Sequence, residues 1–167
     1  DILTELAPQW ILGLEGRRFM RWGDGDLRFP RPIRWLVALL DDEIIPITLE
    51  SGSVKVESDR FSQGHRVLHP DPIQIPRASD YLDRLQAASI QVDPQQRRHK
   101  IIEQVEQCAR QVGGTVGSAP GLLDEVTQLV EWPVAVLGKF DDDFLILPPE
   151  VITTVMVTHQ RYFPVQK

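Results

Sequence analysis

Cysteine is almost absent: Cys108 is the only one in 167 residues. No disulfide can therefore form within the chain, and the composition fits a reducing cytosol. Long apolar runs are missing too, and nothing approaches the length of a membrane-crossing helix. The opening residues, Asp1-Ile2-Leu3-Thr4-Glu5-Leu6, have neither signal-peptide nor transit-peptide character, and they lack methionine. This is the look of a segment cut from the middle of a longer chain. Lysine is scarce, with 4 against 14 arginines. No Gly-x-Ser-x-Gly elbow occurs. The run Gly113-Gly114-Thr115-Val116-Gly117 lacks the lysine of a phosphate-binding loop and follows a helical pattern, so a helix stop and turn explain it.

What is present is ordinary for a globular chain: 42% hydrophobic and 25% charged residues, enough for a real core in one or two units. The net charge of -6 argues against an autonomous nucleic-acid binder, but its distribution is uneven. Arg17, Arg18, Arg21, Arg28, Arg31 and Arg34 face only Asp24 and Asp26 within their window, which carries +4. Guanidinium matches phosphate bidentately, so this is a candidate phosphate surface. Surface ion pairs to the acidic remainder are the other reading.

Apolar spacing predicts a helix over residues 2–14, opened or kinked at Pro8. Ile33–Leu40 reads as a buried strand. It is followed by the Asp41-Asp42-Glu43 turn and a second strand, Ile44–Leu49, with Pro46 at an edge or bulge. Residues 50–76 read as loop with short strands, one at Arg66-Val67-Leu68. Ser79 or Asp80 caps a helix carrying Tyr81, Leu82, Leu85 and Ala88, and Ser89–Val92 is a short strand candidate. The clearest helix starts at Asp93-Pro94 and stops at Gly113-Gly114, with Arg97, Arg98, Lys100 and Glu103 on its outer side. Pro120 opens another helix, ended by Trp132-Pro133. Val134–Phe140 reads as an apolar strand and Phe144–Leu147 as a short extension. Pro148-Pro149-Glu150 opens a last helix, and Arg161–Val165 is a final strand. Strands and helices mix without strict alternation. This predicts an α+β fold with a mixed sheet packed with helices. Residues 1–20 are expected as a helical lead-in or linker and 21–167 as the α+β domain.

No catalytic residue and no metal ligand set stands out. His65 and His69 are four apart but bracketed by Gly64 and Pro70, and no cysteine completes a set. His99 reads as a solvated helix residue. Cys108 falls on an apolar helix stripe, which suits an inert thiol. Ser53, Ser58 and Ser62 share a polar loop with His65, but sequence cannot place them in a triad. Asp141-Asp142-Asp143 reads as a solvated turn rather than a cation site. Two aromatic–basic clusters remain. One runs from Phe19-Met20-Arg21-Trp22-Gly23 to Arg28-Phe29-Pro30-Arg31-Pro32-Ile33-Arg34-Trp35; the other is His159-Gln160-Arg161-Tyr162-Phe163. Charge for phosphate and flat faces for unstacked bases are what single-stranded RNA requires. The competing reading makes the aromatics core residues with arginines lying across them.

These words, in this order, resemble the β subunit of the bacterial heterotetrameric glycyl-tRNA synthetase. The resemblance rests on Met20-Arg21-Trp22-Gly23, Phe29 with Arg31-Pro32-Ile33-Arg34-Trp35-Leu36, Gly64-His65-Arg66, Tyr81 with Leu85, and Arg97-Arg98 with Ile101. It continues through Leu122–Pro133, Gly138-Lys139-Phe140, Phe144-Leu145, Pro148–Val151, Met156 and His159–Phe163. It implies a cytoplasmic piece from the N-terminal half of that subunit, related in fold to the B3/B4 region of the phenylalanyl-tRNA synthetase β chain. It implies as partners a separate α subunit, which holds the glycine and ATP site with its Mg, and glycine tRNA. No cofactor is expected in this segment, nor a membrane partner. On this resemblance, a noncatalytic tRNA-binding or scaffold role would fall to Arg21, Arg28, Arg31, Arg34, Arg66 and Arg161. A hydrolytic editing-like domain near Ser62 and His65, and a purely structural module docking the α subunit, are the alternatives.

Overall fold

The computed structural model describes residues 2–166. The chain divides into two compact units, Asp1–Ala88 and Ser89–Lys167. The boundary expected from sequence lies at residue 20.

The first unit begins with helix α1 (Ile2–Leu12), which runs through Pro8 and buries no residue. Short strands β1 (Met20–Arg21) and β2 (Arg28–Phe29) form an antiparallel hairpin. The expected buried strand over Ile33–Leu40 is instead two short pieces, β3 (Leu36–Val37) and β4 (Leu39–Leu40), with Trp35 45% exposed. β4 pairs with β5 (Glu43–Ile44) across the acidic turn, so the predicted hairpin forms over two residue pairs. Pro46 has no N–H to give a ladder, and β5 stops before it. Ser58 repairs the gap: its Oγ accepts from Ile47 N–H and donates to the Ile45 carbonyl. Strands β6 (Thr48–Ser51) and β7 (Val54–Asp59) pair antiparallel, and β3 joins β7 in parallel to give a mixed three-stranded sheet. β8 (Phe61–Gln63) and β9 (Pro72–Gln74) form another hairpin. The residues between them, Arg66-Val67-Leu68, are a turn rather than the predicted strand. His65 Nδ1 accepts from Val67 and Leu68 N–H and bends the backbone. After a 3-10 turn, α2 (Tyr81–Ala87) presents Leu85 to a core of Ile47, Leu49, Val56, Ile73, Ile75 and Ala88.

In the second unit no strand forms at Ser89–Val92. Ser89 takes a left-handed φ of 60°, and Gln91 N–H bonds singly to the Glu131 carbonyl. Helix α3 (Pro94–Gln111) follows the sequence prediction: Asp93 accepts from Gln95 N–H at 2.8 Å, and Gly113 turns the chain out at φ 68°. Arg97, expected outside, turns inward instead. It donates to the carbonyls of Thr127, Gln91 and Val92 at 3.0, 2.7 and 2.7 Å, because these carbonyls have no ladder partner. Strand β10 (Thr115–Val116) pairs with β11 (Val165–Gln166), and helix α4 (Leu122–Leu129) packs on α3. The core here is small: Ile101, Ala109 and Leu122. Two further expectations fail. Val134–Phe140 forms no paired strand, having no strand beside it among the described residues, and Phe144–Leu147 lies largely within a 3-10 turn, Asp142–Ile146. Helix α5 (Pro149–Thr154) continues into a π-helical turn, Val155–His159. Arg161 then adopts a φ of 57°, so the final strand begins only at Val165.

Candidate nucleic-acid interface

The β1–β2 hairpin sets Arg21 directly opposite Arg28 and Met20 opposite Phe29. Like charges facing each other across a ladder repel, and a bound anion would relieve that repulsion. The hairpin is rigidly built underneath. Trp22 Nε1 donates to the Phe29 carbonyl at 2.7 Å, and the Phe19 and Phe29 rings lie 5.5 Å apart in a tilted pair. Its turn is fastened to the β6–β7 turn. Asp24 Oδ1 accepts from both the N–H and the hydroxyl of Ser53 at 2.9 Å, and Leu27 N–H donates to Ser51 Oγ at 2.8 Å. The two turns approach so closely that a Cβ on Gly25 would stand 2.0 Å from Ser51 Oγ and 2.3 Å from its backbone carbon. The Ser53 N–H, and after it the Ser53 hydroxyl, hold the Asp24 carboxyl below its ordinary value of 3.8.

Arg17, Arg18, Arg21, Arg28, Arg31, Arg34 and Arg66 are all exposed. Among the described residues, none of their side chains donates a hydrogen bond or joins an ion pair; Arg77 and Arg84, also exposed, share that state. The contrast is with Arg60, Arg97, Arg98, Arg110 and Arg161, each of which bonds a carbonyl or carboxylate. Every unengaged arginine lies in the first unit. Arg161 is placed differently, in the second unit, with Nε 2.8 Å from Glu125 Oε1 and its guanidinium also on the Thr158 and His159 carbonyls. The aromatics divide as well. Phe19, Trp22 and Phe29 are half-buried and brace the hairpin, whereas Trp35 is 45% and Tyr162 58% exposed.

No catalytic constellation assembles among the described residues. The Ser53 hydroxyl is held by Asp24 and the Ser58 hydroxyl by backbone. Ser62 is buried and makes no hydrogen bond to His65, whose Nδ1 already accepts two N–H groups. Cys108 is half-buried, and Asp141 caps the 3-10 turn by accepting from Asp143 N–H. Among the described residues no three His, Cys, Asp or Glu side chains converge on a metal-sized site. Two open depressions of about 460 and 360 Å³ belong to the first unit. They are lined by Ile2, Leu3, Leu40 and Ile45, and by Val37, Leu39, Ile75, Ala78 and Tyr81. Such apolar walls supply no acid–base pair. Lys100, expected as a solvated residue on α3, sits over the Trp132 ring with Nζ 3.5 Å from its centroid. A helical lysine and a Trp-Pro stop signal do not announce that contact in sequence.

Fold and site together define an α+β chain whose first unit carries exposed arginines that no protein acceptor among the described residues engages, two of them, Arg21 and Arg28, facing each other. Residues 1–167 match the family described as glycyl-tRNA synthetase beta subunit, and the chain belongs to that family. It is 63% identical over 166 residues to a glycine–tRNA ligase beta subunit of Trichodesmium erythraeum and 61% identical to that of Gloeothece citriformis. Identity to the one of Desulfitobacterium hafniense is 43%. Each match covers 99% of this chain but only 23% of the relative, so the chain spans about a quarter of their length. No helix among the described residues is long and apolar enough to cross a membrane.

Proposed function

We propose that this chain is a noncatalytic tRNA-binding and scaffold segment of a cytoplasmic glycine–tRNA ligase, acting beside an α subunit that holds glycine, ATP and Mg. Residues 1–20 serve as a helical lead-in, and the α+β body resembles the B3/B4 region of phenylalanyl-tRNA synthetase. Arg21, Arg28, Arg31, Arg34 and Arg66 contact tRNA phosphates. One observation carries this reading: these exposed guanidinium groups, like the other unengaged arginines of the first unit, are spent on no protein acceptor among the described residues, while every arginine of the second unit is engaged. Phosphate is the ligand that suits a facing, unengaged Arg21–Arg28 pair best. Arg161, also a candidate from sequence, is engaged by Glu125, and we assign its main role to fastening the turn after Val155–His159 to α4.

The test is glycine tRNA binding to the complete α–β enzyme at several salt concentrations, with wild type beside an Arg21/Arg28/Arg31/Arg34→Ala variant. The expected result is roughly tenfold or greater weakening, with a shallower dependence on salt because fewer counterions are released. Equal affinity and equal slope would refute the phosphate surface.

A further inference from the structure

The stretch after Pro133 in the second unit is secured from one side only. Its exposure alternates: Pro133 is buried, Val134 exposed, Ala135 half-buried, Val136 exposed, Leu137 half-buried and Gly138 exposed. A period of two is the signature of extended backbone. Gln104 on α3 fastens it. Ala135 N–H donates to Gln104 Oε1 at 2.7 Å, and Gln104 Nε2 donates to the Pro133 carbonyl at 3.1 Å. The Cys108 thiol lies 3.9 Å from the Ala135 carbonyl. One side-chain amide thus bonds as the peptide group of a neighbouring strand would.

Successive residues of an extended chain direct their N–H and C=O groups to opposite edges. With Pro133 and Ala135 turned toward α3, the N–H and C=O groups of Val134 and Val136 line the other edge. They have no hydrogen-bond partner among the described residues. The two valine side chains are 67% and 85% exposed. Open edges are normally guarded by charge, proline or a bulge. Val134 to Gly138 contains no charge and no proline.

We propose that this edge receives an apolar β-strand from the part of the longer β-subunit polypeptide that lies outside these 167 residues. The unpaired peptide groups call for backbone pairing, and the valines call for an uncharged neighbour. The relatives are about four times as long as this chain, so most of each polypeptide is available to supply the strand. A tethered strand also reaches the edge at a high effective concentration, which a separate molecule lacks.

The test uses the full-length subunit within its α–β assembly, with Val136→p-benzoylphenylalanine as a photo-cross-linker and a mixture of light and heavy-isotope β chains. The expected product joins position 136 to a peptide of the same β polypeptide beyond this segment, with no mixed-isotope pair. Amide exchange on the wild-type assembly should show Val134 and Val136 slowed about 100-fold or more relative to unstructured chain. A cross-link to the α subunit, a mixed-isotope β–β product, or exchange of both amides at unprotected rates would each overturn the proposal.

Discussion

Asp24 and Gly25 show how much of the arginine surface depends on residues that carry no positive charge. The carboxylate bonds Ser53 twice, and the missing Cβ of Gly25 lets the hairpin turn rest on Ser51. Gly25→Ala would force backbone apart and is expected to destabilise the chain by about 1–3 kcal/mol in urea unfolding. Because the folded-state carboxyl is held below its ordinary value, its contribution is present above that value and is lost as pH falls through the folded one. Wild type should therefore be more stable than Asp24→Asn near neutral pH, and the gap should close on strong acidification. Denaturation midpoints measured across pH check this, and a pH-independent gap would mean the Ser53 bonds do not depend on charge. Arg97 makes the opposite point. It looks like a surface helix residue in sequence, yet it serves three carbonyls. Arg97→Ala is expected to cost about 2–3 kcal/mol, more than Arg98→Ala, whose single contact to Asp124 at 3.4 Å is exposed.

At the scale of elements, α3 was legible because its signals are local. Asp93, Pro94 and Gly113 sit within a turn of the ends they define, and the apolar stripe has the helical period. Asp93→Ala should remove the bond to Gln95 N–H and lower stability by about 1 kcal/mol, as read by thermal unfolding. The strands were less legible, since a strand exists only when another segment completes its ladder. Val134–Leu137 has strand-like residues and strand-like alternation, yet among the described residues its backbone meets side chains, those of Gln104 and Cys108, and no strand. The run 66–68 fails for a different reason: His65 supplies a side-chain acceptor that competes with the ladder.

For the whole molecule, the net charge of -6 conceals an arginine-rich first unit. Charge alone and guanidinium geometry are separable. An Arg21/Arg28/Arg31/Arg34→Lys variant of the complete enzyme should keep the salt slope of tRNA binding while losing severalfold in affinity, because lysine conserves charge but not the bidentate fork. A variant indistinguishable from wild type would reduce the surface to a charge patch. The sequence by itself determined the family, the ends of α3, the turn at Asp41-Asp42-Glu43 and the arginine clustering, because motif order, caps, turns and charge are read from neighbours along the chain. Tertiary structure alone decided that Arg21 faces Arg28 while Arg161 is held by Glu125, and that Arg97 turns inward. Those outcomes depend on which acceptors distant segments bring within about 3 Å, and a hydrogen bond's steep dependence on distance leaves no trace in local sequence.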